Sequence, residues 1–214
     1  MTLVVAPCSH EAVKWAVEHW HYSQSVPVGK LVCYGVWETG QFRGSIVFGR
    51  GASNGLGAAY TLDQVECCEL VRIALRSHES YVSEMVAAAL RLLKAQNPGL
   101  RLVVSFADPE QGHHGGVYQA GNWRYLGKTG IPDEYIVCGN RIHGRSARAK
   151  RTSAGQKGSA HPNVLAWLRD SVDPDARQIW GTSKHRYVWP LDRRMRKQIA
   201  PLALPYPDAE TESV

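Results

Sequence analysis

A run of strand formers, Leu100-Arg101-Leu102-Val103-Val104, leads straight into Ser105-Phe106-Ala107-Asp108-Pro109-Glu110-Gln111-Gly112-His113-His114-Gly115-Gly116-Val117-Tyr118-Gln119-Ala120-Gly121-Asn122-Trp123. That run reads as a strand of an α/β protein. In the sheets of such proteins ligands gather where strands end and helices begin. Here that point carries Ser105, Asp108, His113, His114 and Tyr118. Gly112, Gly115 and Gly116 leave room for a group to come close to the backbone.

The remaining pattern agrees with one α/β layer. Leu3–Ala6 reads as a short strand, Ser9 as an N-cap, and Glu11–Trp20 as a helix with Val13, Val17 and Trp20 on one face. Leu31–Trp37 and Phe42–Phe48, joined across Glu38-Thr39-Gly40-Gln41, read as a hairpin. Glu66–Leu75 is a further strand, and Tyr81–Gln96 a helix closed by Asn97-Pro98-Gly99. Strand Leu102–Phe106, a short helix over Gly116–Asn122, and strand Glu134–Cys138 follow. His143–His161 is rich in Gly, Ser, Lys and Arg and reads as a mobile basic insertion. A short helix Asn163–Asp170, a last strand Lys184–Trp189 and a basic helical piece Asp192–Ile199 complete the pattern. The expected organisation is one domain over residues 1–200 with an insertion at 143–161, and a disordered tail over 201–214.

Charge narrows the partners. The formal net charge is +6. Between Arg141 and Ala200, 14 Lys/Arg stand against 4 Asp/Glu, a balance of +10, so the rest of the chain sums to −4. That asymmetry points to a polyanion, and nucleic acid is the expected partner. Arg145, Arg148, Lys150, Arg151, Lys184, Arg186, Arg193 and Arg194 are the candidate phosphate contacts. Lys184-His185-Arg186-Tyr187-Val188-Trp189 interleaves base and aromatic side chains, a composition suited to phosphate contact with base stacking. No apolar run approaches the roughly 18 residues of a membrane span, and Met1–Pro7 reads as a strand, not a signal peptide. Five cysteines without CxxC or Cys/His spacing read as reduced thiols of a cytoplasmic protein, with no metal site assigned by spacing.

Several segments carry two readings each. The Ser105–Tyr118 cluster can supply general acid and base groups or metal ligands, or Asp108 can simply cap the following loop. The loop Gly49–Gly57 can cradle a phosphate through backbone N–H groups or merely connect, with Arg50 available for a phosphate or carboxylate. Strand alternation puts Glu69 and Val71 on one face, and Cys68, Leu70 and Arg72 on the other, so one charge lies on each face. A charge on the covered face must be paired or functional; an edge position is the other reading.

The order β-α-β-β-β-α-β-α-β, insertion, β resembles the GNAT (Gcn5-related acyltransferase) architecture, a mixed central sheet flanked by helices. Tyr118-Gln119-Ala120-Gly121-Asn122-Trp123-Arg124-Tyr125-Leu126-Gly127 resembles the GNAT step where a Tyr-bearing helix breaks and an aromatic turns inward. One junction departs from it. GNAT enzymes that use acetyl-CoA carry a Gly-rich pyrophosphate loop, Q/R-x-x-G-x-G/A, after the fourth strand. Here Leu75-Arg76-Ser77-His78-Glu79-Ser80-Tyr81 has no glycine.

His21-Tyr22-Ser23, Gly35-Val36-Trp37-Glu38, Phe48-Gly49-Arg50-Gly51, Glu69-Leu70-Val71-Arg72-Ile73-Ala74-Leu75, Ser105-Phe106-Ala107-Asp108 and Tyr118-Gln119-Ala120-Gly121-Asn122-Trp123 together resemble the Mom family of phage Mu-like DNA modification proteins. The resemblance implies a GNAT-like fold and conversion of adenine in DNA to N6-carbamoylmethyladenine, a mark that protects phage DNA from restriction. It also implies iron as a cofactor, and a phage-type protein working in the host cytoplasm on DNA. The donor it leaves open is glycyl-tRNA or an acyl-CoA. In that frame Asp108 with His21 or His113 takes the N6 proton, and Ser105 or Tyr118 protonates the leaving group. Tyr34, Trp123 and Tyr125 stack on the base, and Arg50, Glu69 and Arg72 bind substrate. The other reading is an acyltransferase acting on a small-molecule or protein amine; a DNA-binding accessory protein is the third.

Overall fold

The structure is a computed structural model, and it describes residues 2–51, 55–154 and 163–207. By contacts between residues the chain falls into two compact units, one of Met1–Ala107, His113–Gly127 and His185–Val214, the other of Asp108–Gly112 and Lys128–Lys184. Among the described residues no helix is long and apolar enough to cross a membrane.

The larger unit is built on a sheet of seven strands in the order β1-β2-β3-β4-β5-β10-β6. These are β1 (Leu3–Pro7), β2 (Leu31–Glu38), β3 (Gln41–Gly49), β4 (Cys67–Leu75), β5 (Leu102–Ala107), β6 (Arg124–Lys128) and β10 (His185–Pro190). Antiparallel ladders join β1 to β2, β2 to β3, β3 to β4 and β5 to β10, while β4 and β5 run parallel. A parallel pair needs a crossover, and helix α2 (Val82–Gln96) supplies it. The mixed sheet flanked by helices that the sequence predicts is therefore present.

The helices cover the sheet through their apolar stripes. α1 (His10–Trp20) opens on Ser9, whose side chain accepts from Ala12 N, as its sequence predicts. Its Val13, Ala16 and Val17 pack on Val47 and Ala74. α2 covers the other face, placing Met85, Val86, Ala89, Leu90 and Leu93 against Tyr34, Ile46, Phe48, Leu70 and Val103. Each of these larger side chains gains roughly 1.5–3 kcal/mol on leaving water, and such burial is what holds the layers together. α6 (Arg193–Ile199), capped by Asp192, buries Met195 and Ile199 beside Leu102, Val104 and Val188.

Two departures from simple alternation matter below. The β3–β4 register shifts between Val47 and Phe48, so Val47 faces Arg72 while Phe48 faces Leu70. Val71 is the extra residue of a β-bulge. Second, β4 and β5 are paired only from Cys67↔Leu102 to Glu69↔Val104, although both strands continue.

The smaller unit is an antiparallel sheet β8-β7-β9 of Asn140–His143, Asp133–Val137 and Arg177–Trp180. β7 turns into β8 through Cys138 and Gly139, both at positive φ, the geometry of a tight hairpin. Helices α4 (Gly144–Ser153) and α5 (Val164–Ser171) pack Ala147, Val164, Trp167 and Leu168 on Tyr135 and Val137. The basic segment read as a mobile loop is thus helical over Gly144–Ser153; Arg, Lys and Ala are good helix formers, and buried Gly144 and Ala147 with the Arg148–Asp133 ion pair seat it. Residues 155–161 of that segment lie outside the described residues.

The chain after α6 is also ordered as far as Pro207. Leu204 N–H donates to the Tyr125 carbonyl at 2.9 Å, and Tyr206 Oη donates to the Trp123 carbonyl at 2.7 Å. Hydrogen bonds to backbone carbonyls hold this piece, and composition does not report them. Residues 208–214 lie outside the described residues.

Gly44 in β3 has φ +131°, and a Cβ there would strike the Ala74 carbonyl of β4. Gly44→Ala is expected to cost about 3 kcal/mol through strain and clash, read as a lower urea midpoint at unchanged slope.

Candidate functional site

The parting of β4 and β5 leaves the Leu70 carbonyl without a strand partner. Ser105, on β5, supplies one: its Oγ donates to Leu70 O at 2.9 Å and lies 2.8 Å from Tyr118 Oη. A carbonyl can only accept, so the serine proton is committed there and the Tyr118 phenol is the donor of the second bond. Burial, only partly offset by Ser105, pushes the Tyr118 hydroxyl up to about 12, so it is a held proton at neutral pH.

Tyr118 sits on α3 (Gly116–Ala120) and is fixed by rings on both sides. Its centroid lies 5.1 Å from that of Trp123 and 5.1 Å from that of Tyr187; Tyr187 in turn lies 5.2 Å from Tyr125. Gly115, at φ +92°, is the position where a close approach occurs. The group that approaches is the Tyr187 ring of the protein itself, whose Oη donates to His114 O at 2.6 Å.

His21 follows the last turn of α1 and is half-buried. Ser23 N–H donates to its Nδ1 at 3.1 Å, and an amide can only donate; the imidazole proton is therefore on Nε2. Burial, then the charges of Arg72 and His113, brings the His21 pKa down to about 4. At pH 7 it is a neutral Nε2–H donor.

The bulge corrects the alternation reading of β4. Cys68, Leu70, Ile73 and Leu75 belong to the core under α2, whereas Val71 and Ala74 pack under α1. The extra residue returns Arg72 to the face of Glu69, and the two charges interact there. Arg72 is anchored by Nε to Ser25 O at 3.3 Å and Nη1 to Val71 O at 2.7 Å. Glu69 Oε2 would lie 2.7 Å from a Cβ on Gly51, which keeps that loop position small. The charge of Glu69 reaches Tyr118 as well as Arg72.

The structure thus gathers His21, Glu69, Arg72, Ser105, His113 and Tyr118 around the gap between β4 and β5. It adds Tyr22, which the sequence offered only within His21-Tyr22-Ser23 and without a role. Tyr22 is 53% exposed, with its ring 4.3 Å from His21 and 5.7 Å from His113. Its neighbours His21 and Ser23 in the chain were the available signal.

Other expected site residues are placed differently. Tyr34, Trp123 and Tyr125 have 0%, 1% and 7% of their surface exposed. They are core residues with no ring face for a base, and the Tyr34 hydroxyl is used on Gln96 Oε1 at 2.7 Å. Asp108 belongs to the smaller unit, where Lys184 Nζ lies 2.6 Å from its Oδ2 and its Oδ1 accepts from Glu110 N at 3.2 Å. It acts there as a cap and an ion-pair partner. Arg50 is exposed beyond β3, and 52–54 of its loop lie outside the described residues.

Of the expected phosphate contacts, Arg145, Lys150, Arg193 and Arg194 are exposed. Arg148 is engaged by both oxygens of Asp133, at 2.7 and 3.2 Å, and Lys184 by Asp108. Arg151 is half-buried. Arg186 is half-buried too, and its charge acts on the Tyr60 hydroxyl.

Iron finds no fitting set. Among the described residues no three His, Cys, Asp or Glu side chains come together to hold a metal ion, and His21 Nδ1 is taken by Ser23.

The unfolded chain protonates His21 near its ordinary 6.5, the folded chain only near 4. Its contribution to stability is therefore complete above pH 6.5 and is lost as pH falls toward 4. The His21 Cε1–H resonance is expected to titrate near pH 4; a midpoint at 6 or above would contradict the neutral Nε2–H donor.

Against solved structures, the chain is similar to the aminoglycoside N-acetyltransferase AAC(6')-Ib11, with 11% identity, a TM-score of 0.44, and coverage of 60% of this chain and 90% of that one. It is also similar to a tandem GNAT protein from the clavulanic acid biosynthesis pathway, with 11% identity and a TM-score of 0.39. There the match covers 64% of this chain and 48% of that one. No curated protein sequence matches it. The model of the Mom protein family matches residues 2–208, across both units and the whole site described above. The chain belongs to the Mom family.

Proposed function

We propose that this chain is a transferase that modifies adenine N6 in DNA, with N6-carbamoylmethyladenine as product and protection of phage DNA from restriction as its use. The observation that carries the reading is the Ser105–Tyr118 hydroxyl pair hung on the Leu70 carbonyl beside a neutral His21. A phenol held protonated up to about 12 is suited to protonating a departing alkoxide. Family membership supports DNA as the acceptor.

Adenine N6 is paired and stacked in a duplex, so the base must be flipped, at a cost of a few kcal/mol. Tyr22 is the exposed ring beside the cluster and takes the stacking role that the buried Tyr34, Trp123 and Tyr125 cannot. Exposed Arg145, Lys150, Arg193 and Arg194 hold phosphates, in a salt-dependent way.

The product limits the donor. Acetyl transfer would leave –CO–CH3, which lacks a nitrogen. A glycyl ester such as glycyl-tRNA solves the balance. N6 attacks the ester carbon, the ester C–O bond breaks, Tyr118 gives its proton to the leaving oxygen, and N6 loses a proton to the Glu69 carboxylate. The intermediate is N6–CO–CH2–NH2. Its amine then attacks C6 through a five-membered ring, and the C6–N6 bond breaks with a proton passing to the departing amide nitrogen. The product is C6–NH–CH2–CO–NH2, with glycine nitrogen now on C6.

Expression in a bacterial host followed by mass spectrometry of the DNA nucleosides tests this. An adenosine species carrying an added C2H3NO is expected with the unaltered chain, and its absence despite soluble, folded protein overturns the reading. Tyr118→Phe is expected to lower that species by about a hundredfold or more at unchanged circular dichroism. Asp108→Asn is expected to keep most of it, because asparagine still caps; complete loss would return the base role to Asp108. With nitrogen-labelled glycine the label is expected on C6, and a product without label rules out the glycyl route.

A further inference from the structure

The edge of the smaller sheet presents one large ring to solvent. β9 pairs on one side only, with β7, and its last residue, Trp180, is 69% exposed. An indole gains free energy by leaving water, and at that exposure Trp180 gives most of it up. Its backbone is nonetheless fixed. Trp180 stands opposite Asp133 in the β7 ladder, and Gly181 N–H donates to the Pro132 carbonyl at 2.9 Å. A Cβ on Gly181 would strike Pro132 and the Glu134 carboxylate, so the chain is held close to β7 here. The register sets what surrounds the ring. Tyr135 and Val137 of β7 face the core under α4 and α5; Asp133 faces the same side, and so does Trp180 opposite it. Such opposed residues have Cβ atoms about 5 Å apart. Asp133 is in turn tied to α4: its two oxygens accept from Arg148, and its carboxylate leaves no room for a Cβ on Gly144. The indole therefore stands beside the first turns of α4. That helix carries four Lys/Arg and no Asp or Glu. Arg145 and Arg148, three residues apart, share its flank toward Asp133. Arg145 is exposed, and the Arg148 side chain stays 53% exposed while paired.

We propose that Trp180, Arg145 and Arg148 form a docking surface for unpaired DNA: one base stacks on the indole, and the phosphates beside it meet the two guanidiniums. An exposed aromatic face accepts any base, and cations on a rigid element track the backbone. A duplex offers the same phosphates but keeps its base faces covered, so the ring favours an opened strand. Extruding an adenine opens the duplex, so such a strand exists during the proposed reaction. One ring flanked by cations is a poor start for a stable protein interface, which takes roughly 800 Å² from each partner and is depleted of charge at its centre. The choice of DNA among polyanions rests on the transferase reading, but binding here is measured without turnover, so either can fail alone.

Fluorescence anisotropy of a labelled oligo(dT) strand, and of a duplex of the same length, with the full chain decides it. Trp180→Ala is expected to bind the single strand at least about tenfold more weakly than the unaltered chain, the worth of one stacked base, and to bind the duplex as before. Trp180→Phe keeps a ring and is expected to stay within about threefold of the unaltered chain. It is also expected to lose the quenching of tryptophan emission that the single strand causes in the unaltered protein. Arg145→Ala is expected to weaken binding of both and to lower the salt slope by about one. Equal single-strand affinity of Trp180→Ala and the unaltered chain, at unchanged circular dichroism, would overturn the proposal. So would an equal loss on the duplex, quenching that persists in Trp180→Phe, or oligo(U) bound more tightly than oligo(dT).

Discussion

The site depends on a hydrogen-bond ladder that stops early. β4 and β5 are parallel partners for three residue pairs and then part, although each remains extended. A backbone carbonyl in a covered sheet cannot go unpaired without cost. Ser105 meets that cost at Leu70, and in doing so it fixes the orientation of its own hydroxyl and hence that of Tyr118. The gap is therefore not a defect between two strands. It is the means by which side chains of the two sheet faces come within reach of one another: Ser105 and Tyr118 from the α2 side, Glu69 and Arg72 from the α1 side.

A second constraint is charge placement. One inserted residue, Val71, turns Arg72 to the face of Glu69, so that a guanidinium and a carboxylate share one side of a strand that alternation would split between two. A second carboxylate, Glu38, is committed elsewhere, to the Glu79 and Ser80 amides in the turn before α2. The two glutamates lie on neighbouring parts of one sheet with opposite fates: one left facing the gap, the other sealed into the framework.

Much of the scaffold was legible in the chain. The hairpin of β2 and β3, the Ser9 cap and the length of α2 follow from local pattern, which sequence reports directly. Ser105 and Tyr118 were legible as well, because polar residues at a strand end stand out against Leu102-Val103-Val104. What was not legible is long-range or register-dependent. A bulge changes every later side-chain direction without a distinctive residue. Glu38 meets Glu79 and Ser80 across the sheet, with no spacing to announce it. The residues expected to stack on a base are aromatic, as stacking needs, but aromatics also fill cores, and Trp123 and Tyr125 do so here. Asp108 shows the opposite limit: its chemistry was right for a base, and its place was already taken by Lys184.

The position of β10 has a consequence for how the chain is made. β5 lies inside the sheet with β4 on one side and β10 on the other, yet β10 is synthesised only after the whole smaller unit. Until Tyr187 has left the ribosome, the far edge of β5 is bare, with its N–H and C=O groups exposed beside an apolar face. Pairings between segments so far apart close slowly, because the loop entropy must be met before the contact forms. A nascent chain of this kind therefore carries an open, adhesive strand edge while the whole stretch from β5 to β10 is made. A smaller unit that can complete its own core meanwhile shortens the effective tether between β6 and β10. Its presence in the middle of the sequence is then also a matter of timing.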